Sequence, residues 1–505
     1  MTTVDLSKFI SSEDDVFTIN NLPEEVIAVL IAKYSRSPKS LRDVLAEMLD
    51  ADEYRGGEEW EGEGMGVALE KARKFHEKYV VGYGHGSVAE NAVIHMGVEN
   101  VSILAAKALE DARIGASFTE KSTRYVVFNS GSFVTPPELD ARFMPELHRR
   151  YVDGCNRLID TYLLLVGNVT HTIMERHTKP DGMTPGVYSA MVRARALDLC
   201  RGLLPASTTT NLGMTINARA MELLLSKLHS HPAGEMRKLA QPMHREALIV
   251  APTLVKYASP STWRSALKKP TRIAPAIFDQ RETYRQKLFD DRRNKIQLRA
   301  GVSQNDAKRR VAEALLWETN GPDIATSQRL GYEEINAVIE QSLAGRTSHE
   351  RAPRAFETIN AQIELLTDFG CFRDLQRHRM VAWFGRELTA DLGFEIPEGL
   401  AELGGHYVDR YAAAMKGAAH VWSAMRAAVG EWAAQYVVPI GYNYHVLANT
   451  NLRELFHLVE LRSGKGGHLG YRRIAQELHR KVAWHWPWAA EHMRCDHNTY
   501  EFARD

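Results

Sequence analysis

Cysteine is scarce in this sequence, and the residues that are present lie far apart. Cys155, Cys200, Cys371 and Cys495 form no C-x-x-C pair and follow no metal-ligand spacing. The sequence therefore predicts no metal site, and a reducing compartment fits this use of cysteine best.

Long apolar runs are missing as well. No stretch approaches the ~18 apolar residues that indicate a transmembrane helix. The first residues, MTTVDLSKFISSEDDVF, lack the basic start and apolar run of a signal peptide. From these absences we expect a cytoplasmic protein.

An excess of one charge sign is also absent. Lys plus Arg and Asp plus Glu number 63 each, so no overall field attracts the chain to nucleic acid or to an anionic membrane. An anionic ligand would have to be held by a local cluster of arginines, whose planar guanidinium groups form paired hydrogen bonds.

What the sequence does contain is length and helical periodicity. Its 505 residues exceed the roughly 250 to 300 at which a single core stops growing, so two or more domains are expected. Apolar residues recur at helical spacing in segments 100–112, 145–166, 218–228, 360–374, 404–429 and 452–462. Residues 125–128 and 133–135 have the pattern of strands. Together these patterns predict a helix-rich α+β fold.

The two halves of the chain share an ordered set of short elements. A Leu-Leu-Pro that ends at Pro205 is followed by Asn-Ala-Arg at 217–219 and an apolar helix. A Val-Val-Pro that ends at Pro439 is followed, at the same spacing, by Asn-Leu-Arg at 451–453 and another apolar helix. Such self-similarity is typical of an internal repeat.

Further upstream, Glu90 and Glu357 each precede a segment that we interpret as a long helix ending in an arginine-bearing turn. The complete set suggests two diverged copies of one unit. We expect the first repeat at 1–258, a basic linker that contains proline at 259–301, and the second repeat at 302–505.

Residues 84–128 resemble the signature region of the flavin-dependent thymidylate synthases. That signature runs Arg-His-Arg, two residues, Ser, one residue, Asn-Glu, one residue, Ser, one residue, Arg-Tyr. Its second part is present here, with Thr in place of Asn, as Ser117, Thr119, Glu120, Ser122, Arg124 and Tyr125. Its first part is absent, because residues 112–114 read Ala-Arg-Ile.

The second half of the chain keeps the part that the first half lacks. In RDLQRHRMVAWF at 373–384 the Arg-His-Arg is intact as Arg377, His378 and Arg379. The later signature positions have changed and are occupied by Ala382, Gly385, Glu387 and Thr389.

Two downstream arginines of the family are divided between the halves in the same way. The arginine of its Arg-x-x-Leu-Pro element is Arg201 in the first half and Gln435 in the second. Its helix-end arginine is Arg462 in the second half and Leu228 in the first. No element compared is lost twice, which argues against random decay.

The resemblance implies two tandem copies of the family fold, each with an antiparallel sheet. It also implies the family reaction, in which deoxyuridylate is methylated at C5 with methylenetetrahydrofolate and reduced FAD, and NADPH reduces the flavin again. Several subunits of a homotetramer meet at each site in that family. We therefore expect composite sites from both repeats in a homodimer of two-repeat chains, equivalent to a pseudo-tetramer.

The resemblance also assigns residues to roles. Those expected to bind the nucleotide are Glu120, Ser122, Arg124, Arg201, Arg377 and Arg462. Those expected on the flavin side are His85, Ser87, Thr119, Arg377, His378, Arg379, Asn451 and His457. Arg462 and Ser122 are the expected catalytic residues.

Helical geometry provides a separate argument for Arg462. Leu455, Leu458 and Val459 lie seven, four and three positions before it, so they share its face of the helix. A cation on an apolar face needs an anionic partner, and a pyrimidine that gains negative charge during activation at C5 could be that partner. The alternative is an arginine that extends to water at the helix end.

One position departs from the family. Asp374 stands three residues before the Arg-His-Arg, where the family usually has Gln. A carboxylate only accepts hydrogen bonds, whereas an amide also donates. The base or product could therefore differ, as in hydroxymethylation of deoxycytidylate.

Two further alternatives concern the chemistry itself. A homologue that binds nucleotide or RNA without turnover is the competing interpretation from another class. The classical thymidylate synthase route needs a thiolate beside a His, and we expect none of the four cysteines to have that setting.

Overall fold

The computed structural model describes residues 6–50, 74, 86–267, 295–319, 321, 323–500 and 502. Its α-helices in chain order are α1 Glu24–Tyr34, α2 Leu41–Asp50, α3 Ile103–Glu110, α4 Pro145–Arg176, α5 Pro185–Cys200, α6 Ala218–His229, α7 Gly234–Val250, α8 Thr262–Leu267, α9 Gln304–Glu318, α10 Ile324–Ser327, α11 Tyr332–Leu343, α12 Phe369–Leu375, α13 Glu398–Leu403, α14 Gly405–Val429, α15 Glu431–Ala434, α16 Leu452–Ser463, α17 Leu469–His485 and α18 Pro487–Ala490.

The strands form two antiparallel sheets. In chain order they are β1 Val93–Ser102, β2 Ala116–Glu120, β3 Thr209–Asn217, β4 Ile296–Ala300, β5 Asn360–Asp368, β6 Ala382–Gly385 and β7 Asn443–Asn451. One sheet has the order β1-β3-β2 and the other the order β4-β5-β7-β6. The α+β class with an antiparallel sheet in each repeat is confirmed.

Most of the predicted helices are present. Residues 145–166 lie in α4, 218–228 in α6 and 452–462 in α16, while 404–429 corresponds to α14. The predicted helices are amphipathic enough for their buried faces to be visible in the sequence.

Two predicted helices begin as strands, and for the same reason. Residues 100–112 begin at the end of β1 and continue as α3, and residues 360–374 comprise β5 and most of α12. In both places a strand with buried residues runs directly into a short helix, so the apolar pattern does not break at the junction. Glu90 and Glu357 therefore precede strands rather than long helices.

The predicted strands are also wrong. Residues 125–128 start in a turn, in which the amides of Tyr125 and Val126 donate to the carbonyl of Ser122 at 3.2 and 3.1 Å. Of residues 133–135, only Phe133 forms an isolated bridge, to Thr208. The chain forms local hydrogen bonds at Ser122 rather than strand pairs, because a serine side chain favours a turn.

Contacts divide the chain into two units. One consists of Met1–Lys121 and Thr209–Thr271, the other of Ser122–Thr208 and Arg272–Asp505. The second unit thus contains residues from both sequence repeats. It also includes β4, which lies within the predicted linker and pairs with β5.

A local two-fold arrangement lies inside the second unit, where the two Pro-containing turns form an antiparallel bridge. The amide of Ala206 donates to the carbonyl of Val438, and the amide of Ile440 donates to the carbonyl of Leu204, each at 2.9 Å. Ala206 and Ile440 hold the same place in the two repeats, as do Leu204 and Val438. The contact is therefore isologous, as in a two-fold dimer.

The two repeats start their helices with the same devices. Ser102 and Asp368 end β1 and β5, and their side chains accept hydrogen bonds from the first turns of α3 and α12. Asn217 and Asn451 end β3 and β7 and cap α6 and α16 in the same way. These are favoured N-cap residues, and they fix where each strand becomes a helix.

The repeated Glu and the Arg of Asn-x-Arg form an ion pair in each repeat. Glu90 lies 2.5 Å from Arg219, and Glu357 lies 2.8 Å from Arg453. The repeated Glu and the repeated Arg, which the sequence shows only as recurring residues, are thus in direct contact in both repeats.

Within the part of the chain that the structure describes, no helix combines the length and apolar character needed to cross a membrane.

Candidate active site

Arg124 lies in the turn after β2, and its guanidinium group faces a carboxylate. Nε and Nη2 donate to the two carboxylate oxygens of Asp198 in α5, each at 2.8 Å. Both side chains are largely buried, at 12% and 10% exposure. Burial alone would raise the pKa of Asp198, but the positive charge around it, including Arg124, keeps the pKa below its ordinary value. This carboxylate stays ionised at neutral pH.

Arg201, at the end of α5, is paired in a similar way. Its Nη1 and Nη2 both donate to Oδ2 of Asp374 in α12 at 3.3 Å. Burial alone would lower the pKa of Arg201, but Asp374 raises it. Burial alone would raise the pKa of Asp374, but Arg201 lowers it. Because each group stabilises the charge of the other, both remain charged.

Arg462, near the end of α16, contacts an imidazole instead. Its Nε donates to Nε2 of His378 at 3.0 Å. Burial lowers the pKa of Arg462. Among the described residues, no carboxylate lies within ion-pair distance of this guanidinium group.

The apolar face predicted for Arg462 is present. Leu455, Leu458 and Val459 are buried at 1% exposure or less. Leu228, which holds the matching place in the first unit, is buried as well. A packing residue therefore stands at the matching place in the first unit, so the helix itself does not require an arginine there.

Tyr471, at the start of α17, lies beside two of these arginines. Its hydroxyl accepts a hydrogen bond from Nη1 of Arg124 at 3.0 Å, and its ring centroid is 5.3 Å from the guanidinium carbon of Arg462. Arg462 also acts on the charge of Asp374, the partner of Arg201. Arg124, Arg201 and Arg462 thus lie in one cluster within the second unit.

The expectation about cysteine is wrong for the neighbouring His but not for the thiolate. Sγ of Cys371 lies 3.6 Å from Nδ1 of His468, so one cysteine does have a His neighbour. Burial, however, raises the pKa of the Cys371 thiol well above its ordinary value and lowers the pKa of His468 to about 4. At neutral pH the pair holds a thiol and a neutral imidazole, not the thiolate that nucleophilic catalysis needs.

The Arg-His-Arg at the end of α12 has two exposed arginines around a buried histidine. Arg377 and Arg379 are exposed, whereas His378 is 3% exposed. The half-buried ring of His457 lies 5.2 Å from that of His378, centroid to centroid. Two exposed guanidinium groups beside imidazoles form a donor set that fits an anionic cofactor such as FAD.

Asn451 has an established structural role. Its side chain accepts a hydrogen bond from the amide of Glu454 at 2.9 Å and caps α16. The helix-start alternative is therefore confirmed for this residue, and a flavin contact would be an additional role.

The remaining predicted residues are described one by one. The hydroxyl of Ser122 accepts a hydrogen bond from the amide of Arg124 at 3.2 Å, within the second unit. Ser87 and Thr119 are exposed and Glu120 is buried in the first unit. His85 lies outside the described residues. The roles expected for these four residues of the signature region stay predictions.

The structure adds three residues that the sequence did not single out, namely Asp198, His468 and Tyr471. Only Asp198 left a signal, because it stands one helical turn before Arg201. Its partner nevertheless is Arg124, far away in the sequence, and nothing in the local pattern of His468 or Tyr471 indicates their position.

A cavity of about 550 Å³ adjoins Asp198 and Arg201 in the second unit, and His468 also lines it. This volume lies in the range of small-molecule sites. The buried ion pairs therefore border a space that a nucleotide or cofactor can enter.

The family model described as thymidylate synthase complementing protein matches residues 20–253 and again residues 302–488. The chain belongs to this family. Because the model matches twice in succession, the two sequence repeats are two copies of the thymidylate synthase complementing protein fold.

Known relatives include proteins of the same double length. The UPF0159 protein of Chlamydia pneumoniae is 33% identical over 497 residues, covering 94% of this chain and 91% of its own. The UPF0159 protein Ta1429 of Thermoplasma acidophilum is 28% identical, covering 90% and 91%.

A flavin-dependent thymidylate synthase of Clostridium tetani is 26% identical over 196 residues, covering 39% of this chain and 74% of its own. The solved structure of a UMP/dUMP methylase from Streptomyces cacaoi is similar at 17% identity and a TM-score of 0.34, over 39% of this chain and 94% of its own. That score is too low to support an inference.

Proposed function

We propose that this protein is a flavin-dependent thymidylate synthase that methylates deoxyuridylate at C5 with methylenetetrahydrofolate. The observation that carries the proposal is the cluster of Arg124, Arg201 and Arg462, to which the first repeat contributes two arginines and the second repeat one. Each repeat alone lacks part of the family set, and the second unit brings these three arginines together.

Arg462 is proposed to stabilise negative charge on the pyrimidine. It lies on the apolar face of α16, and no carboxylate of the described residues forms an ion pair with it, although the charge of Asp374 acts on it from a greater distance. A fixed donor in a site of low polarity favours charge that develops during a reaction. The hydrogen bond from Nε to His378 fixes the guanidinium group in place before substrate binds.

Arg124 and Arg201 are proposed to hold the substrate phosphate. In the structure these guanidinium groups form ion pairs with Asp198 and Asp374. A phosphate offers more acceptor oxygens than a carboxylate and pairs well with arginine. Binding of the nucleotide would therefore join or replace the two carboxylates, with Ser122 positioned beside Arg124.

The flavin is proposed to be FAD, held by Arg377, His378 and Arg379 with His457 nearby. Reduced FAD supplies the reducing equivalents of the reaction, and NADPH restores them. His378 hydrogen bonds to Arg462, so the same histidine would connect the flavin side to the nucleotide side. Contributions from His85, Ser87, Thr119, Glu120 and Asn451 are part of this proposal.

The proposal includes the arrangement of the chain. We place the repeats at 1–258 and 302–505 around a linker at 259–301, and the family matches at 20–253 and 302–488 support these bounds. Two such chains would form a homodimer with two active sites, equivalent to the family tetramer. The cytoplasm is the proposed location, since the chemistry needs reduced nucleotide cofactors.

One observation favours a second substrate. Asp374 stays ionised because Arg201 lowers its pKa, so it accepts hydrogen bonds and does not donate them. The exocyclic amine of cytosine is a donor, whereas uracil presents a carbonyl at that position. Modification of deoxycytidylate, for instance by hydroxymethylation, is therefore the second candidate.

A flavin oxidation assay tests these proposals. Purified protein should be yellow, and its reduced flavin should be oxidised when methylenetetrahydrofolate and deoxyuridylate are added. Deoxycytidylate in a parallel reaction decides between the two bases, and product analysis decides between methyl and hydroxymethyl. Colourless protein that binds nucleotide or RNA without turnover would support the non-catalytic alternative.

A further inference from the structure

The segment that follows α18 returns over α17 and brings three metal-ligating side chains together. His479 lies on α17, and Cys495 and His497 follow α18. Their candidate ligand atoms, two imidazole nitrogens and one thiol sulfur, all lie within 4.8 Å of one another. The sequence did not predict this cluster, because a Cys-x-His pair gives no metal spacing until the tail folds back on the helix.

The orientation of His479 is the first argument. Its Nε2 lies 3.0 Å from the carbonyl oxygen of Ala490, so that nitrogen carries the proton and donates. Nδ1 therefore has a free lone pair, and it lies 3.2 Å from Nε2 of His497. A histidine that binds metal through one nitrogen commonly donates the other N–H to a backbone carbonyl.

The distance between the two nitrogens is the second argument. In a tetrahedral zinc site with Zn–N bonds of ~2.05 Å, two ligand nitrogens are about 3.4 Å apart. The observed 3.2 Å is close to this value. A hydrogen bond between the two histidines is the competing explanation, and the experiment below separates the two.

The donor set indicates the class of metal. One thiolate and two imidazoles suit borderline cations such as Zn²⁺, whereas Mg²⁺ and Ca²⁺ require oxygen ligands. His479 and Cys495 are half-buried and His497 is exposed, so an ion can enter. A fourth position would be open to water.

A second group of potential ligands, His378, Glu454 and His457, does not fit a metal. Both ring nitrogens of His378 are engaged, one with Glu454 at 2.8 Å and the other with Arg462 at 3.0 Å. No lone pair of that histidine is available.

We propose that His479, Cys495 and His497 bind a zinc-class metal ion that fastens the C-terminal segment to α17. The same segment is held by hydrogen bonds close to the candidate active site. The amide of Asp496 donates to the hydroxyl of Ser463 at 3.0 Å, and Ser463 follows Arg462 directly. The metal site would thus stabilise the end of α16, a structural role outside the reaction itself.

The test uses the full chain without a histidine tag, freed of metal with a chelator and then desalted. Zn²⁺ is titrated against a chromophoric chelator, and Co²⁺ is added to a second sample. We expect one Zn²⁺ per chain and, with Co²⁺, a thiolate-to-metal charge-transfer band. Loss of a residue that merely supports a metal ligand weakens metal binding roughly 10- to 100-fold. Cys495→Ser and His497→Gln remove ligands themselves, so each should weaken Zn²⁺ binding by at least this factor.

His171→Gln is the matched control, because this exposed histidine of α4 lies away from the cluster and pairs with Glu175. It should bind Zn²⁺ like the unaltered chain. Thermal unfolding without metal shows whether each variant folds. Zn²⁺ should raise the melting temperature of the unaltered chain but not that of Cys495→Ser or His497→Gln. Binding that survives Cys495→Ser, or Co²⁺ without a thiolate band, overturns the proposal. These measurements do not depend on flavin or on turnover.

Discussion

His378 accepts a hydrogen bond from Nε of Arg462 at 3.0 Å, and this contact determines its tautomer. Because Nε of arginine is always a donor, Nε2 of His378 carries no proton and Nδ1 does. Nδ1 then donates to Glu454 at 2.8 Å. The histidine is neutral, in agreement with burial lowering its pKa, and it holds the arginine by its lone pair.

Replacing Arg462 tests its role in the proposed reaction. Arg462→Leu should reduce turnover ~100-fold or more, the cost of losing a donor aimed at developing charge. The fold should persist, since a buried Leu228 occupies the matching place in the first unit. The measurements are kcat and thermal unfolding, with Arg410→Leu, an exposed arginine of α14, as control. Near-normal kcat would mean that Arg462 only ends a helix.

Flavin binding should depend on the exposed part of the Arg-His-Arg. Arg379→Ala should yield folded protein with little or no FAD, because a cationic hydrogen-bond donor to the cofactor is lost. Absorbance of the flavin per chain after purification measures this. Arg410→Ala removes an exposed arginine of α14 and should leave occupancy unchanged. Full occupancy in Arg379→Ala contradicts the assignment.

Asp374→Gln restores the side chain usual in the family and removes the carboxylate from Arg201. Breaking a largely buried ion pair should lower the free energy of unfolding by roughly 3 kcal/mol, because Arg201, 5% exposed, loses its partner. If Arg201 binds the substrate phosphate, binding of deoxyuridylate should restore part of the lost free energy of unfolding. Denaturant unfolding with and without nucleotide measures both effects, and an unchanged response to nucleotide would argue against phosphate binding.

The same variant addresses the base. With an amide at position 374, the ratio of activity on deoxyuridylate to activity on deoxycytidylate should rise relative to the unaltered chain. A ratio that stays constant would show that Asp374 acts on Arg201 alone.

His468 predicts a pH dependence of stability. Its pKa is lowered to about 4 by burial and by Arg201, against an ordinary value of about 6.5. Above pH ~6.5 neither state binds a proton at this residue. As the pH falls from ~6.5 to ~4, the unfolded chain binds a proton that the folded chain does not, so stability is lost, by about 3 kcal/mol at most.

The measurement is denaturant unfolding at several pH values, with His468→Asn for comparison. His468 caps α17 by accepting a hydrogen bond from the amide of Gly470, and Asn can take that place. Asn does not titrate, so the loss between pH ~6.5 and ~4 should be smaller in the variant. The pKa values of Asp198 and Asp374 are lowered, so the stability that these ionised carboxylates contribute is lost only below pH ~4, outside the range assigned to His468. Parallel curves for the two proteins would contradict the assignment.

Complementation tests where the composite site forms. Arg124→Ala and Arg377→Ala should each be inactive, and each is expected to damage the same site within one chain. Mixing the two variants under subunit exchange should then restore no activity, and flavin titration should give about one FAD per chain. Restored activity would mean that the working site lies between chains.

The sequence was sufficient for the repeat, which residue types at fixed spacing mark. Three of the arginines that the family resemblance singled out lie together in the structure, and their roles stay predictions. It failed at residues 360–374, where the buried residues of β5 and α12 form one continuous apolar pattern and only Asp368 marks the change from strand to helix. A capping residue inside an apolar run is a signal that could have located this boundary.

The partners of the arginines could not be read from the sequence at all. Arg124 meets Asp198 and Arg201 meets Asp374 through tertiary contacts, and no local periodicity relates residues so far apart. The same holds for Cys371 and His468, whose proximity the sequence did not indicate.

The isologous backbone hydrogen bonds at Ala206 and Ile440 have a consequence for how such a chain can evolve. In an association of identical single-repeat chains, every substitution appears on both sides of the symmetry axis. Joining the repeats in one polypeptide allows one side to change alone, as Arg462 and Leu228 illustrate. The covalent connection also makes the encounter of the two repeats intramolecular, so their pairing does not weaken on dilution.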